Sequence, residues 1–595
     1  MSVEKLIVDH METWTSALQT RSTAGRGSSG KIDLYGIKKL RELILELAVR
    51  GKLVPQDPND EPASELLKRI AAEKAELVKQ GKIKKQKPLP EISEEEKPFE
   101  LPEGWEWVRL GNIAEYIQRG KGPKYSENGT VRVVSQKCVQ WSGFKLEQSR
   151  WITDESIPSY TEERFLKNGD VLWNSTGAGG TAGRVNFLET VKERLVVDSH
   201  VTIIRSIKQN GQFICNYIST YGIQQLFDPK HPKTLLSGTT NQAELNTSVV
   251  ISFITPFPPQ KEQERINTKV IELMSLCDQL EQQSLTSLYA HQQLVKTLLG
   301  TLTDSQNAEE LAENWTRISE HFDTLFTTEA SVDALKQTIL QLAVMGKLVP
   351  QDPNDEPASE LLKRIAQEKA QLVKEGKIKK QKPLPPISDE EKPFELPDGW
   401  EWCRLGDIVT IRGGKRVANG YKLLTTATPH IYIRVSDMKD GTIDLSDLRY
   451  IDSNMHEKIS NYIIKKEDIY MTIVGATIGK CGLIPPELDG MNLTENAARL
   501  TPHDKLSKEY LHQCLRSNFC QNQFTDKTLQ VGVQKMALNR LSNTLIPLAP
   551  SMEAAKIIDN IKKIEDISKA MLKKIQSAQQ TQLHLADALT DAAIN

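Results

Sequence analysis

The sequence GKLVPQDPNDEPAS at residues 51–64 occurs a second time, without a change, at residues 346–359. The likeness extends outward from this stretch. Residues 46–113 and 341–408 differ at only ten of 68 aligned positions, at a constant offset of 295 residues. Since this offset is close to half of the 595 residues, the chain is a two-fold duplication and not an array of short repeats.

The composition is that of a soluble chain with several domains. Hydrophobic residues make up 38% and charged residues 26%, and 76 Lys and Arg balance 78 Asp and Glu. No apolar run approaches the roughly 18 to 20 residues of a membrane span, and the first residues lack the apolar core of a signal peptide. We therefore expect a cytoplasmic protein with no membrane partner. None of the seven cysteines has C-x-x-C spacing, which predicts reduced thiols.

Each copy of the repeat begins with a helical arm. Apolar spacing predicts one helix across residues 40–47, ending before Pro55, and a second across residues 66–77, ending near Gly81. A lysine run at residues 82–87 then leads into a Pro-rich connector. This run is either a solvated connector or a contact for phosphate groups, and the sequence leaves both interpretations open.

A long helix is predicted after each variable segment, at residues 261–302 and 553–595, each on the order of 60 Å if continuous. Apolar residues recur there at alternating spacings of four and three, which is typical of a coiled coil. We predict that the two helices pair as an antiparallel coiled coil; the core of a larger bundle is the alternative. The predicted pairing residues are Ile266, Val270, Leu273 and Leu280 in the first helix and Ile557, Ile561, Ile564 and Met571 in the second.

The segments between the matching parts show strand-like alternation with short helical patterns, which predicts two mixed α/β domains. They share an opening motif, L-P-x-G-W-E-W-x-R-L-G, at residues 101–111 and 396–406. The predicted organisation is a helical arm and Pro-rich connector at 1–103, of which 1–30 are expected to be flexible, a first α/β domain at 104–260, central helices and a second arm at 261–398, a second α/β domain at 399–550, and a C-terminal helix at 551–595.

Local charge points to a nucleic-acid partner that the net charge of −2 conceals. The segments 104–260 and 399–550 each carry a net charge of +3, so the rest of the chain carries about −8. Basic, glycine-containing loops follow the first predicted strand of both domains, at residues 119–125 and 412–416. Glycine lets a backbone approach a phosphate closely, and Lys and Arg supply the charge. One such loop would be an ordinary basic hairpin tip, but two in register favour DNA.

The candidate DNA-binding residues lie in these basic loops, in a glycine-rich stretch and in a polar loop near the end of each domain. In the first domain they are Arg119, Lys121, Lys124, Ser175, Thr176, Arg184, Thr239, Thr240, Asn241 and Gln242. In the second domain they are Arg412, Lys415, Arg416, Arg434, Lys480, Gln534 and Lys535. Asn and Gln suit adenine, Arg suits guanine, and most Lys would contact phosphates. The tryptophans of the opening motif, Trp105, Trp107, Trp400 and Trp402, are expected in the core.

Catalytic motifs are not found in the sequence. There is no H-E-x-x-H, G-x-S-x-G or N-P-P-aromatic motif, and the ten histidines form no metal-ligand pattern. The glycine-rich stretch at residues 475–481 has one residue too few for a phosphate-binding loop and ends in Cys481 where Ser or Thr should bind magnesium. We predict no catalytic residue and no metal ligand.

The order of these features resembles the specificity subunit of type I restriction-modification systems. Two variable α/β segments are each introduced by L-P-x-G-W-x-W-x-x-L-G, and the first is followed by P-x-P-P-x-x-E-Q-x-x-I at residues 256–266 and by a long helix. The GKLVPQDPNDEPAS repeat suggests the subfamily with long, near-identical arms before each recognition domain. The second copy departs from the pattern, since Ala554 and Ala555 follow Glu553 where Gln263 and Glu264 follow Glu262.

The resemblance implies two target recognition domains, each reading one half of a bipartite site in double-stranded DNA, held apart by the paired helices. It also implies two modification subunits, which bind S-adenosylmethionine and methylate adenine, and restriction subunits, which use ATP and magnesium to cleave. No cofactor is then expected in this chain. Two alternatives stay open: a stand-alone DNA methyltransferase or nuclease, and a duplicated interaction scaffold without a DNA role.

Overall fold

The structure, a computed structural model, describes residues 3–21, 31–177, 180–238, 243–439, 441–525 and 535–594. The chain divides into two compact units. Of the described residues, unit 1 contains those within 3–286 and 579–594, and unit 2 contains those within 287–578.

The α-helices occur in both units and range from a single turn to more than forty residues. In chain order they are α1 (Val3–Asp9), α2 (Met11–Ser16), α3 (Tyr35–Val49), α4 (Ala63–Lys79), α5 (Leu110–Ile113), α6 (Gly211–Ile218), α7 (Tyr221–Gln225), α8 (Thr247–Ser252), α9 (Gln260–Asp304), α10 (Ala308–Glu320), α11 (Phe322–Leu325), α12 (Glu329–Val344), α13 (Ala358–Lys374), α14 (Leu405–Ile408), α15 (Ser453–Lys458), α16 (Lys508–Arg516), α17 (Asn518–Phe524), α18 (Leu538–Ser542) and α19 (Ser551–Ile594).

The β-strands are short and concentrated in the two variable segments. They are β1 (Gln19–Arg21), β2 (Lys31–Asp33), β3 (Glu106–Arg109), β4 (Ala114–Arg119), β5 (Tyr125–Ser126), β6 (Arg132–Val134), β7 (Val139–Gln140), β8 (Gly143–Phe144), β9 (Arg150–Ile152), β10 (Val171–Asn174), β11 (Val185–Phe187), β12 (Leu195–Val197), β13 (Val201–Ser206), β14 (Ile254–Phe257), β15 (Glu401–Arg404), β16 (Val409–Gly413), β17 (His430–Ile433), β18 (Tyr450–Ile451), β19 (Ile469–Thr472), β20 (Cys481–Leu483), β21 (Asn492–Leu493), β22 (Ala497–Pro502) and β23 (Leu545–Leu548).

The two variable segments fold with one topology. In the first, an antiparallel sheet has the strand order β11-β10-β13-β4, and in the second the equivalent sheet has the order β20-β19-β22-β16. A smaller sheet follows the same correspondence, with the parallel pair β6 and β12 matched by the parallel pair β17 and β21. The prediction of two mixed α/β domains is confirmed. Their ranges, 104–260 and 399–550, stay predictions, and they enclose all of these strands.

The opening motif joins each domain to its long helix. Strand β3 pairs with β14, and β15 pairs with β23, so the beginning and end of each domain lie side by side. The indole Nε1 of Trp105 donates to Oε2 of Glu262 at 2.9 Å, and Nε1 of Trp400 donates to Oε2 of Glu553 at 3.0 Å. These glutamates stand in the first turns of α9 and α19. The second copy departs from the sequence pattern just after Glu553, but it keeps this glutamate, which accepts the hydrogen bond from Trp400.

The predicted core position is confirmed for Trp105 and Trp400, whereas Trp107 and Trp402 are half-buried. Trp105 and Trp400 are buried, and Trp107 and Trp402 pack in the same way on Phe99 and Phe394, with ring centroids 5.1 Å apart in both cases. The second helix of each arm, α4 or α13, adds its apolar side to the core of the domain that follows it. Each arm thus packs on the α/β domain that follows it and is not a free linker.

The long helices are confirmed as single helices of 45 and 44 residues, but the coiled coil between them is not confirmed. In unit 2, Ile557 and Ile561 of α19 join a core cluster with Leu340 and Val344 of α12. The arm helix, which follows the same periodicity, therefore covers this part of the predicted seam. Further along α19, Ile564 and Met571 belong to a cluster that includes α12 and the end of α9.

Unit 1 shows the corresponding arrangement around α9. The predicted seam residues Ile266, Val270, Leu273 and Leu280 are all buried. Arg41 of α3, the first arm helix, donates to Asp278 at 2.6 Å and to Glu281 at 2.9 Å on α9. An arm helix thus lies against the first half of α9, as α12 lies against the first half of α19.

Each long helix ends in the other unit. Helix α9 enters unit 2 at residue 287, and α19 enters unit 1 at residue 579. In unit 2, Nζ of Lys347 donates to the carbonyls of Thr303 and Ser305 at 3.0 and 2.8 Å. In unit 1, Nζ of the repeat-equivalent Lys52 donates to the carbonyl of Ile594 at 2.6 Å. A cation at the carbonyl end of a helix is favourable, so one arm lysine caps each long helix.

The start of the chain differs from the expected flexible segment. Residues 3–16 form α1 and α2, and the side chain of Trp14 is fully buried. Gly36 at the start of α3 lies directly against the backbone carbonyl of Trp14, where a Cβ would collide. The expectation is therefore wrong for residues 3–21, and residues 22–30 lie outside the described part.

Candidate nucleic-acid interface

Four loops of the first domain meet at one edge of its large sheet. Because β10 and β4 both run antiparallel to β13, the ends of β10 and β4 and the start of β13 lie together. Backbone contacts join the loops there: Ser175 N donates to His200 O at 2.8 Å, and Thr176 forms a bridge with Glu244. We call this surface edge 1. It comprises residues 119–124, 175–177, 180–184, 198–200, 237–238 and 243–244; residues 178–179 and 239–242 lie outside the described residues.

The second domain has the same surface, which we call edge 2. It comprises residues 413–416, 473–480, 494–496 and 535–537. The bond from Met536 N to Ile473 O, 2.8 Å, matches the bond from Leu245 N to Ser175 O, 2.7 Å. This correspondence places Lys535 where the first domain has Glu244.

A glycine fixes the start of each basic loop. Gly120 N donates to Val201 O at 3.0 Å, and Gly414 N donates to Ala497 O at 2.9 Å. A Cβ at either glycine would overlap neighbouring backbone carbonyls, those around Asp198 in the first domain and Thr494 in the second. Only glycine allows this close approach. Both basic loops therefore leave the sheet at an equivalent point.

A glutamine fixes the end of each glycine-rich loop. Nε2 of Gln224 donates to Gly183 O at 3.1 Å, and Nε2 of Gln521 donates to Gly479 O at 3.0 Å. Both glycines have positive φ, 93° and 88°. The next residue is basic in both loops, Arg184 or Lys480. Sequence reasoning missed these glutamines; the signal was their common position six residues after an apolar residue, whose carbonyl each also binds.

Arg119 links the loops of edge 1. Its guanidinium pairs with the carboxylate of Glu244 and donates to the carbonyl of Ser199. Beside it, Thr176 Oγ1 and His200 Nδ1 lie 2.5 Å apart. Partial burial lowers the pKa of Arg119, which nevertheless stays charged. A DNA base that binds Arg119 would have to share it with Glu244.

Lysines of the two basic loops stand over tyrosine rings. Nζ of Lys121 lies 4.3 Å from the ring centroid of Tyr160 and donates to Oγ of Ser159 at 2.7 Å. Nζ of Lys415 lies 5.7 Å from the ring centroid of Tyr462. Lys124 is exposed further along the first loop. These ammonium groups remain at the surface, where they can meet phosphates.

Arg119 and Arg412, which begin the two predicted basic loops, do not occupy equivalent positions. Gly120 corresponds to Gly414, so Arg412 stands one position before the equivalent of Arg119. Side chains alternate along a strand, and Arg412 therefore points to the opposite face of the sheet. Its Nη2 donates to the carbonyl of Lys377 in the arm at 2.9 Å. The register could be read only from the strand pairing.

Three other predicted residues already have partners. Ser175 is fully buried, with Oγ 2.5 Å from Oγ1 of Thr202. Arg434 forms a bidentate pair with Asp437, and Nε of Arg416 binds Glu495 at 2.6 Å. Ser175 and Arg434 therefore support the loops, whereas Arg416 is exposed at edge 2.

The remaining predicted residues divide in two groups. Lys535 is exposed at edge 2, and Arg184 and Lys480 are partly exposed at the ends of the glycine-rich loops. The predicted residues outside the described part of the chain are Thr239, Thr240, Asn241, Gln242 and Gln534.

The described residues contain no group of three or more His, Cys, Asp or Glu placed to hold a metal ion. No helix of the described part is long and apolar enough to cross a bilayer. The two domains share the same arrangement of strands, glycines and glutamines. The polar and basic side chains that this frame carries differ between the domains. These features define a class of protein with two related surfaces for recognising a charged polymer.

Comparisons with known proteins narrow this class. A family model described as "Type I restriction modification DNA specificity domain" matches residues 102–289 and 397–578. The type I restriction enzyme EcoAI specificity subunit of Escherichia coli is 53% identical over 612 aligned positions, covering all of both chains. The EcoEI specificity subunit of the same species is 48% identical over 620 positions, again over all of both chains.

Solved structures show a more distant likeness. A chain from a structural study of complex assembly and conformational transition in the type I R-M system gives a TM-score of 0.49 at 16% identity. The match covers 84% of this chain and 99% of that one. The HsdS subunit of Thermoanaerobacter tengcongensis gives 0.38 at 16% identity, covering 84% and 98%. Family membership follows from the sequence matches alone. The chain belongs to the family of type I restriction-modification specificity subunits and has two DNA specificity domains.

Proposed function

We propose that each recognition domain reads one half of a bipartite site in double-stranded DNA, the first through edge 1 and the second through edge 2. The observation that carries this proposal is a constant frame with changed side chains. The same glycine and glutamine positions hold both edges, whereas Lys535 replaces Glu244. Two different half-sites require this combination, because the approach to the duplex is alike but the donors and acceptors must differ.

The side chains at the edges suit different parts of DNA. Arg119 and Arg416 can each donate two hydrogen bonds to a guanine edge, and a carboxylate such as Glu244 can accept from cytosine. Lys121 and Lys415 carry compact ammonium charges, which suit phosphates. In this scheme, base reading comes from the loops nearest the sheet, and the lysines set the position on the duplex.

We further propose that the chemistry of the system belongs to partner subunits. Two modification subunits would bind S-adenosylmethionine and methylate adenine, and restriction subunits would use ATP and magnesium. The chain itself would catalyse no reaction and hold none of these cofactors, and the complex would act in the bacterial cytoplasm. The names of the relatives, which are specificity subunits of type I restriction enzymes, support this division of labour.

The long helices are the proposed docking surfaces for the modification subunits. Of the fifteen large apolar side chains exposed in the described part of the chain, seven lie on α9 and α19: Ile271, Leu285, Tyr289, Leu294, Met552, Ile567 and Leu585. A cavity of about 450 Å³ in unit 2 lies among α10, α12 and α19, and exposed Trp315 lines it. Exposed apolar surface of this kind marks protein interfaces.

Sequencing of methylated positions in DNA from cells that carry the system tests the proposal directly. We expect methylated adenines in two short, conserved half-sites separated by a gap of constant length. The full chain, co-expressed with its modification subunits, should then shift a duplex with both half-sites in a gel at lower protein concentration than a scrambled duplex. Equal binding to the two duplexes would contradict the proposed function.

Co-purification tests the docking surface. Ile567→Arg places a charge in the exposed apolar part of α19 and should reduce recovery of the modification subunit, because a charge buried in an interface is costly. Lys573→Arg, at an exposed position of the same helix, should have no effect. Full recovery with Ile567→Arg would exclude this part of α19 from the interface.

A further inference from the structure

The two arms carry identical lysine runs that the recognition domains do not explain. Residues 82–87 and 377–382 both read KIKKQK and follow α4 and α13. Each run has four positive charges within six residues, in a part of the chain that is otherwise acidic, since the sequence outside the two domains carries about −8. An exposed lysine run of this kind is either solvated or in contact with an anion.

Within the described part of the chain, carboxylates do not neutralise these runs. The lysines are exposed, and seven of the eight make no ion pair with any described residue: Lys82, Lys84, Lys85, Lys87, Lys379, Lys380 and Lys382. Two arginines of the edges differ, because Arg119 and Arg416 each pair with a carboxylate. The arms therefore add exposed positive charge to that of edge lysines such as Lys124 and Lys535.

The backbone is held at the start of each run and again three residues after its end. At the start, Lys82 N donates to Leu77 O at 3.0 Å, and Lys377 N donates to Leu372 O at 2.9 Å. The guanidinium of Arg109 donates to Pro90 O at 2.8 Å, and that of the equivalent Arg404 donates to Pro385 O at 2.8 Å. Nζ of Lys74 holds Oε1 of Gln86 at 3.0 Å. Because the backbone is held on both sides of each run, binding through these lysines would cost less backbone entropy than binding through a free segment.

The position of the second run connects it to edge 2. The carbonyl of Lys377 accepts a hydrogen bond from Arg412. Arg412 lies near the end of β16, two residues before Gly414. From there the run continues towards Pro385, which lies by β15 at the base of the domain. Six residues reach at most roughly 20 Å. B-DNA has one phosphate per strand for about every 3.4 Å of helix axis, so the run can reach at most about six phosphates of one strand.

We propose that each lysine run binds the phosphate backbone of the DNA next to the half-site read by its domain. This inference rests on the proposed reading function and adds to it a second, sequence-independent contact. Lysine ammonium groups suit phosphates and do not distinguish bases. The identity of the runs agrees with this role, because the backbone is the same beside both half-sites, whereas the reading loops differ.

The test measures how DNA affinity depends on salt. The full chain with its modification subunits is titrated by fluorescence anisotropy with the target duplex and a scrambled duplex at several KCl concentrations. The variants are Lys84→Gln/Lys85→Gln/Lys87→Gln for the first run and Lys379→Gln/Lys380→Gln/Lys382→Gln for the second. Each lost phosphate contact should reduce the slope of log affinity against log salt by about 0.9, so we expect a reduction of about 2 to 3 for each triple variant. Affinity for both duplexes should fall by the same factor.

A matched variant separates a local contact from a general change in charge. Lys422→Gln/Lys465→Gln/Lys466→Gln removes the same charge from exposed positions of the second domain outside edge 2 and the long helices and should leave the slope unchanged. Triple Lys→Arg variants of the runs keep the charge and should retain the slope.

Three results would overturn the inference. They are an unchanged slope in the run variants, an equal change in the control variant of the second domain, and unchanged DNA binding with loss of the modification subunit, which would assign the runs to a protein partner. Thermal melting confirms that each variant is folded. A wild-type complex that does not prefer its target would instead count against the proposed function, and that outcome is read from the same titrations.

Discussion

Glu244 and Lys535 show at single-residue scale how one frame can serve two half-sites. They occupy equivalent backbone positions, but the first accepts hydrogen bonds and the second donates them. Glu244 also pairs with Arg119, whereas a glycine, Gly413, stands at the position equivalent to Arg119. The change from Glu244 to Lys535 is thus accompanied by a change at the paired position, from Arg119 to Gly413. At these positions the two edges differ by a pair of residues and not by one.

The bond between Trp105 and Glu262 predicts a pH effect. Burial raises the pKa of Glu262 above its ordinary value. Below the ordinary value the carboxyl is neutral in both folded and unfolded chains; as the pH rises through the raised pKa, the folded state loses stability relative to the unfolded one. Glu262→Gln keeps an acceptor for the indole without the charge. Its melting temperature, compared with wild type, should therefore increase from pH 4.5 to pH 8.

Glu553→Gln should behave in the same way, because burial also raises the pKa of Glu553 beside Trp400. Glu264→Gln, at an exposed position of α9, serves as the control and should follow wild type across the range. A melting difference between Glu262→Gln and wild type that falls with rising pH would contradict the assignment.

At the scale of elements, the repeat and the helical stripes were predictable, but their partners were not. A spacing of four and three shows that one side of a helix is buried. It does not show whether the covering element is the other long helix or an arm helix, since both present apolar residues with that period. The cluster of Ile557 with Leu340 and Val344 supplies the answer for unit 2.

The same reasoning explains which parts of the edges escaped prediction. The clusters of glycine and basic residues predicted the loops, because these residue types have few other roles when they occur together. The register of Arg412 depended on which residue of β22 faces it, Arg499. The role of Gln224 depended on a helix folding back onto the glycine-rich loop. Both are long-range pairings, which local sequence does not specify.

A core substitution tests the position of α19. Ile557 is fully buried against α12, so Ile557→Ala should lower the free energy of unfolding of unit 2 by about 2 to 5 kcal/mol. Ile567→Ala, at a position 57% exposed on the same helix, should change it by less than about 0.5 kcal/mol. Denaturant titration of both variants gives the comparison. Equal effects would mean that α12 does not cover Ile557.

At the scale of the whole molecule, the division into two units predicts independent reading. Arg119→Ala removes a side chain of edge 1 and Lys535→Ala one of edge 2. Each should relax recognition at its own half-site by about 1 to 3 kcal/mol, or roughly tenfold to a hundredfold, and leave the other half-site unchanged. Residues without shared partners usually act additively, so the double variant should show the sum.

Binding to duplexes that are altered in one half-site at a time measures both effects. The control is Lys422→Ala, an exposed position of the second domain outside edge 2, which should leave both half-sites unaffected. A loss at both half-sites from Arg119→Ala alone would contradict separate reading by the two domains.

All seven cysteines are buried, so their reactivity reports when the folded chain opens. Cys138, Cys215 and Cys277 lie in unit 1, and four more, Cys403, Cys481, Cys514 and Cys520, lie in unit 2. Burial raises the pKa of Cys277 to about 11 and of Cys514 to about 12, so both thiols are protonated and unreactive at neutral pH. A maleimide should therefore label the native protein only when a unit unfolds. Peptide mapping of the labelled sites over time would then give a separate lifetime of the folded state for each of the two units, although the chain is a duplication of one sequence.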